Sequence, residues 1–90
     1  MQAAVHIRVK GVVQGVGFRY FVSRLARQLE IVGNVRNTPD GNVEILAEGE
    51  RSLLEEFIKG VRTGPRASHV SALDIVWKEP RLAYSDFSIL

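Results

Sequence analysis

The sequence predicts an α+β sandwich, with two helices on one face of a four-stranded antiparallel sheet and a short fifth C-terminal strand. Two observations carry that prediction. The apolar residues change period from two to about 3.6 and back, in the order β-α-β-β-α-β plus a tail strand. Both helical stretches carry a single apolar stripe, so each must bury it against a shared sheet face. Ninety residues suffice for one core, and residues 1–90 are expected to form a single domain. Hydrophobic residues make up 46 % and charged residues 24 %, an ordinary globular balance that excludes disorder and low complexity.

His6, Arg8 and Lys10 interleave with Val5, Ile7 and Val9, so residues 5–10 read as a half-buried strand. Gly11 to Gly17 reads as a loop, with glycines at 11, 15 and 17. Phe18, Phe21, Val22, Leu25, Ala26 and Leu29 then form one face of a helix over Phe18–Glu30. Gly33 is expected to break that pattern. Val35–Thr38 and Asn42–Glu48 read as strands joined by the turn Pro39-Asp40-Gly41. Ser52 and Glu55 have the spacing of a capping box at the start of the stripe Leu53, Leu54, Phe57, Ile58 and Val61, which ends near Gly64-Pro65. Leu73, Ile75 and Trp77 alternate as a fourth strand, and Phe87 and Ile89 mark the closing one. This order is the ferredoxin-like arrangement, a fold that hosts many functions.

The absence of cysteine excludes disulfides, thiolate metal sites and thiol nucleophiles, and fits a cytoplasmic protein without requiring one. No apolar run is long enough to span a membrane. The net charge of +2 is too small to point to nucleic acid. No His, Asp and Glu spacing has the form of a metal site.

Chemistry concentrates where strand one meets helix one. The first N–H groups of a helix lack intrahelical acceptors and carry partial positive charge. Gly15 and Gly17 let the backbone of Gln14-Gly15-Val16-Gly17-Phe18-Arg19 curl into a nest suited to an oxyanion, and Arg19 adds a planar fork that matches phosphate oxygens. The same residues also fit a tight strand-to-helix connection beside a solvated arginine. The segment lacks the Lys-Ser/Thr pair of a P-loop and the third glycine of a dinucleotide fingerprint. In this topology strands one and two end at the same edge of the sheet, which brings Asn37 toward the loop.

Val13-Gln14-Gly15-Val16-Gly17-Phe18-Arg19, followed by Gly33-Asn34-Val35-Arg36-Asn37-Thr38-Pro39-Asp40-Gly41-Asn42-Val43-Glu44, resembles the acylphosphatase family. The similarity extends through Ala47-Glu48-Gly49, the Gly64-Pro65 turn and Phe87-Ser88-Ile89. The resemblance implies metal-free hydrolysis of an acyl phosphate to a carboxylate and inorganic phosphate, with no cofactor. It implies that the Gln14–Arg19 loop cradles the phosphoryl group, that Arg19 binds it and that Asn37 positions the attacking water. Thr38 matches a position that supports the asparagine in some members. Asn34, where many members carry a large residue, and His69, where arginine is common, depart from the pattern without touching the two catalytic positions.

On this reading the partners are a small acyl phosphate and competing inorganic phosphate or sulfate, with no nucleic acid or membrane, and the protein is a monomer. Three rivals differ in kind. An RNA-recognition domain would need aromatics on exposed strands, whereas Phe18 and Phe21 fall on a helix stripe. A carbamoyl-phosphate-handling domain of the same family is normally fused to a larger maturation enzyme. A regulatory module would bind an anion without turnover. His6 and His69 read as solvated or structural, Asp40 as a turn former, and Glu44 with Glu48 as a solvated sheet face.

Overall fold

A computed structural model describes all 90 residues. The elements run β1 (Gln2–Val12), α1 (Phe18–Gln28), β2 (Val32–Asn37), β3 (Val43–Glu50), α2 (Arg51–Thr63), β4 (His69–Lys78) and β5 (Phe87–Ile89). The sheet order is β4-β1-β3-β2-β5. The first four strands pair antiparallel, while β5 pairs parallel with β2. The sheet is therefore mixed, and β3 lies between the two strands that α1 connects, as the topology required.

Strand alternation sorts residues between two faces. Val5, Ile7 and Val9 of β1 and Val43, Ile45 and Ala47 of β3 are buried beneath the helices, with Phe18, Val22, Ala26, Leu54, Phe57 and Val61 packed onto them. Phe87 closes this core at the β5 edge, its ring meeting that of Phe57 edge-on at 6.2 Å. The other face carries a charged ladder: His6 Nε2 to Glu44 Oε2 at 2.9 Å, Arg36 Nε to Glu44 Oε1 at 2.6 Å, and Arg8 Nη1 to Asp40 Oδ2 at 3.2 Å.

Several local expectations are corrected. Strand β1 continues to Val12 because Gly11 and Val12 pair with Val70 and His69 past a register shift, so the loop proper starts at Val13. Helix α1 stops at Gln28, and Glu30, at φ 56°, turns the chain. Gly33 lies inside β2, where a side chain is excluded: at φ 141°, a Cβ would sit 1.8 Å from the Leu46 carbonyl oxygen. The Ser52 capping box does not form. Strand β3 runs directly into α2 through Glu50, no side chain caps the helix, and the Arg51 N–H donates to the Met1 carbonyl at 2.8 Å. Glu48 is not solvated. It is 5 % exposed, and its two carboxylate oxygens accept the Arg81 and Leu82 N–H groups at 2.9 and 3.0 Å as the 79–86 segment folds over it.

Candidate active site

Helix α1 begins without a side-chain cap. Gly17 occupies the N-cap position at φ 76°, Gly15 precedes it at φ 74°, and no acidic residue lies in the first turn. A Cβ at either glycine would meet nothing within 4 Å, so left-handed backbone rather than crowding is what calls for glycine there. The first helical bond runs from the Phe21 N–H to the Gly17 carbonyl at 3.1 Å. The amides before it are free of intrahelical acceptors and sit at the positive end of the helix dipole. Phe18 is buried and Val16 packs against the core, so these side chains anchor the loop from within.

A concavity of about 200 Å³ opens at this helix start, lined by Val13, Gly15, Gly17, Phe18, Arg19, Tyr20, Asn37 and Ile89. Arg19 and Asn37 thus share one hollow. Asn37 lies two residues beyond buried Val35 on β2, which places it on the helix-bearing face at the strand end nearest the loop. Arg19 Nη1 donates to the Leu90 main-chain oxygen at 2.8 Å, which leaves the other guanidinium N–H groups for a ligand.

The turn after Asn37 is closed on itself. The Thr38 N–H donates to the Asn42 carbonyl at 3.0 Å, and the Gly41 N–H to the Thr38 carbonyl at 3.1 Å. Thr38 is buried; its hydroxyl accepts the Asn42 N–H at 3.2 Å and donates to Asp40. The Thr38 hydroxyl, with the Arg8 guanidinium nearby, holds the Asp40 carboxyl below its ordinary range. The side chain of Gln14 turns away from the hollow: its Nε2 donates to the Thr38 and Asn42 carbonyls, both at 2.8 Å. Of the loop residues expected at the site, Gly15, Gly17, Phe18 and Arg19 line the hollow, Val16 packs inward, and Gln14 reaches the turn.

Three further lining residues, Val13, Tyr20 and Ile89, were not among the expected site residues. Tyr20 is 63 % exposed and followed from the polar side of the α1 pattern; Ile89 arrives only because β5 joins β2, a pairing no local signal announces. A second hollow of about 120 Å³ lies on the other sheet face beside Glu48, Lys78, Glu79 and Tyr84, and there each Glu48 oxygen already accepts one main-chain N–H. His6 belongs to the charged ladder, not to the site.

The lining contains no carboxylate, histidine, lysine or serine. What it offers is main-chain N–H groups, one guanidinium, one carboxamide and the phenol-bearing Tyr20 at its rim. Such a site suits an anion and the water aimed at it. Fold and hollow together define a small α/β sandwich with a donor-lined hollow at a helix start.

Comparison with known proteins makes the class specific. The Acylphosphatase family model matches residues 5–89. The chain is 44 % identical over 85 residues to an acylphosphatase of Salinibacter ruber, covering 94 % of this chain and 90 % of the relative. The crystal structure of acylphosphatase from Bacillus subtilis superposes with a TM-score of 0.95 at 40 % identity, over 100 % of this chain and 99 % of that one. Full-length HypF in its phosphate- and nucleotide-bound form gives a TM-score of 0.87 at 31 % identity, over 100 % of this chain but 12 % of that one. The chain belongs to the acylphosphatase family. It is a hydrolase whose substrate is a small acyl phosphate.

Proposed function

We propose that the Gln14–Arg19 backbone cradles the phosphoryl group, that Arg19 binds it, and that Asn37, supported by Thr38, orients the attacking water. The carrying observation is the common hollow of Gly15, Gly17, Arg19 and Asn37. Three nonbridging oxygens carry the negative charge of the group, and main-chain donors with a planar guanidinium match them.

Few groups suffice because the substrate is activated. Attack of water forms a new P–O bond and breaks the bond to the acyl oxygen, which leaves as a carboxylate. Its conjugate acid has a pKa of about 4, so no general acid is required. Water loses its proton to a phosphoryl oxygen, in keeping with a lining that holds no carboxylate or imidazole. The remaining contributions are orientation and charge stabilisation, which dominate phosphoryl transfer. On this account neither metal nor cofactor takes part.

The working unit on this reading is a monomer spanning residues 1–90, active in the cytoplasm, with inorganic phosphate and sulfate as competing anions. No helix is long and apolar enough to cross a membrane. The chain covers only 12 % of HypF but 90 % of the Salinibacter acylphosphatase, which favours the acylphosphatase reading over a HypF-like one.

The test is hydrolysis of benzoyl phosphate by Arg19→Ala, with folding checked by circular dichroism. Loss of one preorganised donor set should raise the barrier by about 3–4 kcal/mol. A folded variant that keeps the native rate would remove Arg19 from the mechanism.

A further inference from the structure

Gln14 precedes Gly15, yet its amide crosses to a different element. One nitrogen, Nε2, donates to the Thr38 and Asn42 carbonyls, at 2.8 Å each. Those same two oxygens already accept the Gly41 and Thr38 N–H groups that close the turn between β2 and β3. Each carbonyl has a second lone pair, and Gln14 fills it. Both protons of one amide are thus committed to the mouth of the turn. No other side-chain hydrogen bond joins residues 13–19 to residues 37–42. Asn37 is the residue immediately before Thr38.

We propose that Gln14 is a positioning residue: its amide fixes the separation between the phosphoryl-binding loop and Asn37, and so the line along which water meets phosphorus. The proposal rests on the roles proposed above for the loop and Asn37. The distinction from substrate binding is physical. A Gln14 amide that contacted the phosphoryl group would have to abandon two hydrogen bonds of 2.8 Å, and both turn carbonyls would lose their second donor. Left in place, it holds a loop that binds one reactant against a turn that holds the other. Alignment errors of about 1 Å in such an arrangement cost on the order of 100-fold in rate.

Gln14→Met keeps the length and removes both donors. With benzoyl phosphate, kcat should fall roughly 10- to 100-fold, while KM and the inhibition constant of inorganic phosphate stay within about twofold. Added to Asn37→Ala, the same change should cause no further loss, because what it positions is gone. The proposal is overturned if kcat is unchanged, if phosphate inhibition weakens as much as kcat falls, or if the two losses multiply. NMR of the wild-type protein gives an answer that needs no variant. Inorganic phosphate should shift the main-chain amides of Gly15–Arg19 and leave the Gln14 side-chain amide in place; an equal shift at that amide means substrate contact and overturns the proposal. Full activity in Asn37→Ala alone would instead sink the underlying role of Asn37, and this proposal with it, even where the Gln14 amide stays unmoved.

Discussion

Arg19 and Leu90 are joined across 71 positions of sequence by a 2.8 Å bond from the guanidinium Nη1 to the Leu90 main-chain oxygen. The bond exists because β5 adds to the edge of β2. The Leu90 N–H donates to the Val35 carbonyl at 2.9 Å, and Phe87 is buried with its ring against that of Phe57. A strand of three residues thereby orients the arginine and brings Ile89 to the rim of the hollow.

Replacing Arg19 by lysine should not preserve function. A single ammonium is a point charge and cannot bond Leu90 while presenting a flat fork to the phosphoryl group. The kcat/KM for benzoyl phosphate should fall by about 100-fold or more, corresponding to about 3 kcal/mol. Steady-state kinetics decide this, and a lysine variant of native efficiency would make the charge alone sufficient.

Phe87→Ala should act on both stability and the site. Removing a fully buried aromatic ring costs roughly 3–5 kcal/mol. It also loosens β5, and with it the contact between Leu90 and Arg19. Urea unfolding should show the loss of stability, and KM for the acyl phosphate should rise in the fraction that remains folded. An unchanged urea midpoint would mean that β5 does not anchor the edge of the sheet.

Acid should weaken the fold through the charged face. The hydrogen bond with His6, then those of Arg36, hold the Glu44 carboxyl below its ordinary range of about 4.5 despite partial burial. A carboxylate whose pKa is lowered on folding contributes stability that is fully present at neutral pH. That stability is lost as the pH falls below the unfolded value and through the folded one. The urea midpoint should therefore drop between pH 5 and pH 3, by the order-of-magnitude logic of linkage, and His6→Ala should raise the Glu44 pKa in an NMR titration. A Glu44 titration unaffected by His6→Ala would remove the imidazole as the main cause.

Anions and chelators test the donor-only site from outside. Inorganic phosphate and sulfate should inhibit competitively at millimolar concentration, and EDTA should leave the rate unchanged. Absence of phosphate binding by calorimetry would contradict the cradle, and loss of rate with EDTA would contradict metal-free hydrolysis.

The periodicities of Val5–Val9, Phe18–Ala26, Val43–Ala47 and Leu54–Val61 were enough to order the elements and identify the core, because alternation and helical stripes are local consequences of burial. What was not legible is long-range. Nothing local says that β5 pairs with β2 rather than another edge, so Ile89 and the bond between Leu90 and Arg19 were invisible. Gly33 read as a helix stop because glycine marks chain reversal and close approach alike; only the Leu46 carbonyl facing it reveals the second. Ser52 and Glu55 had capping-box spacing, but β3 enters α2 with Glu50 already in the cap position. At the site, glycine spacing and Arg19 were readable as an oxyanion loop. Strand topology brought Asn37 toward the loop and the resemblance gave it a role, whereas nothing in the sequence shows that the Gln14 side chain reaches the turn.

The most direct test of the central claim is kcat for benzoyl phosphate in Asn37→Ala, measured beside the inhibition constant of inorganic phosphate. A carboxamide that aims water at a phosphoryl group held by other residues predicts a kcat lower by roughly 100- to 1,000-fold with phosphate inhibition intact. A folded variant that turns over at close to the native rate would contradict it.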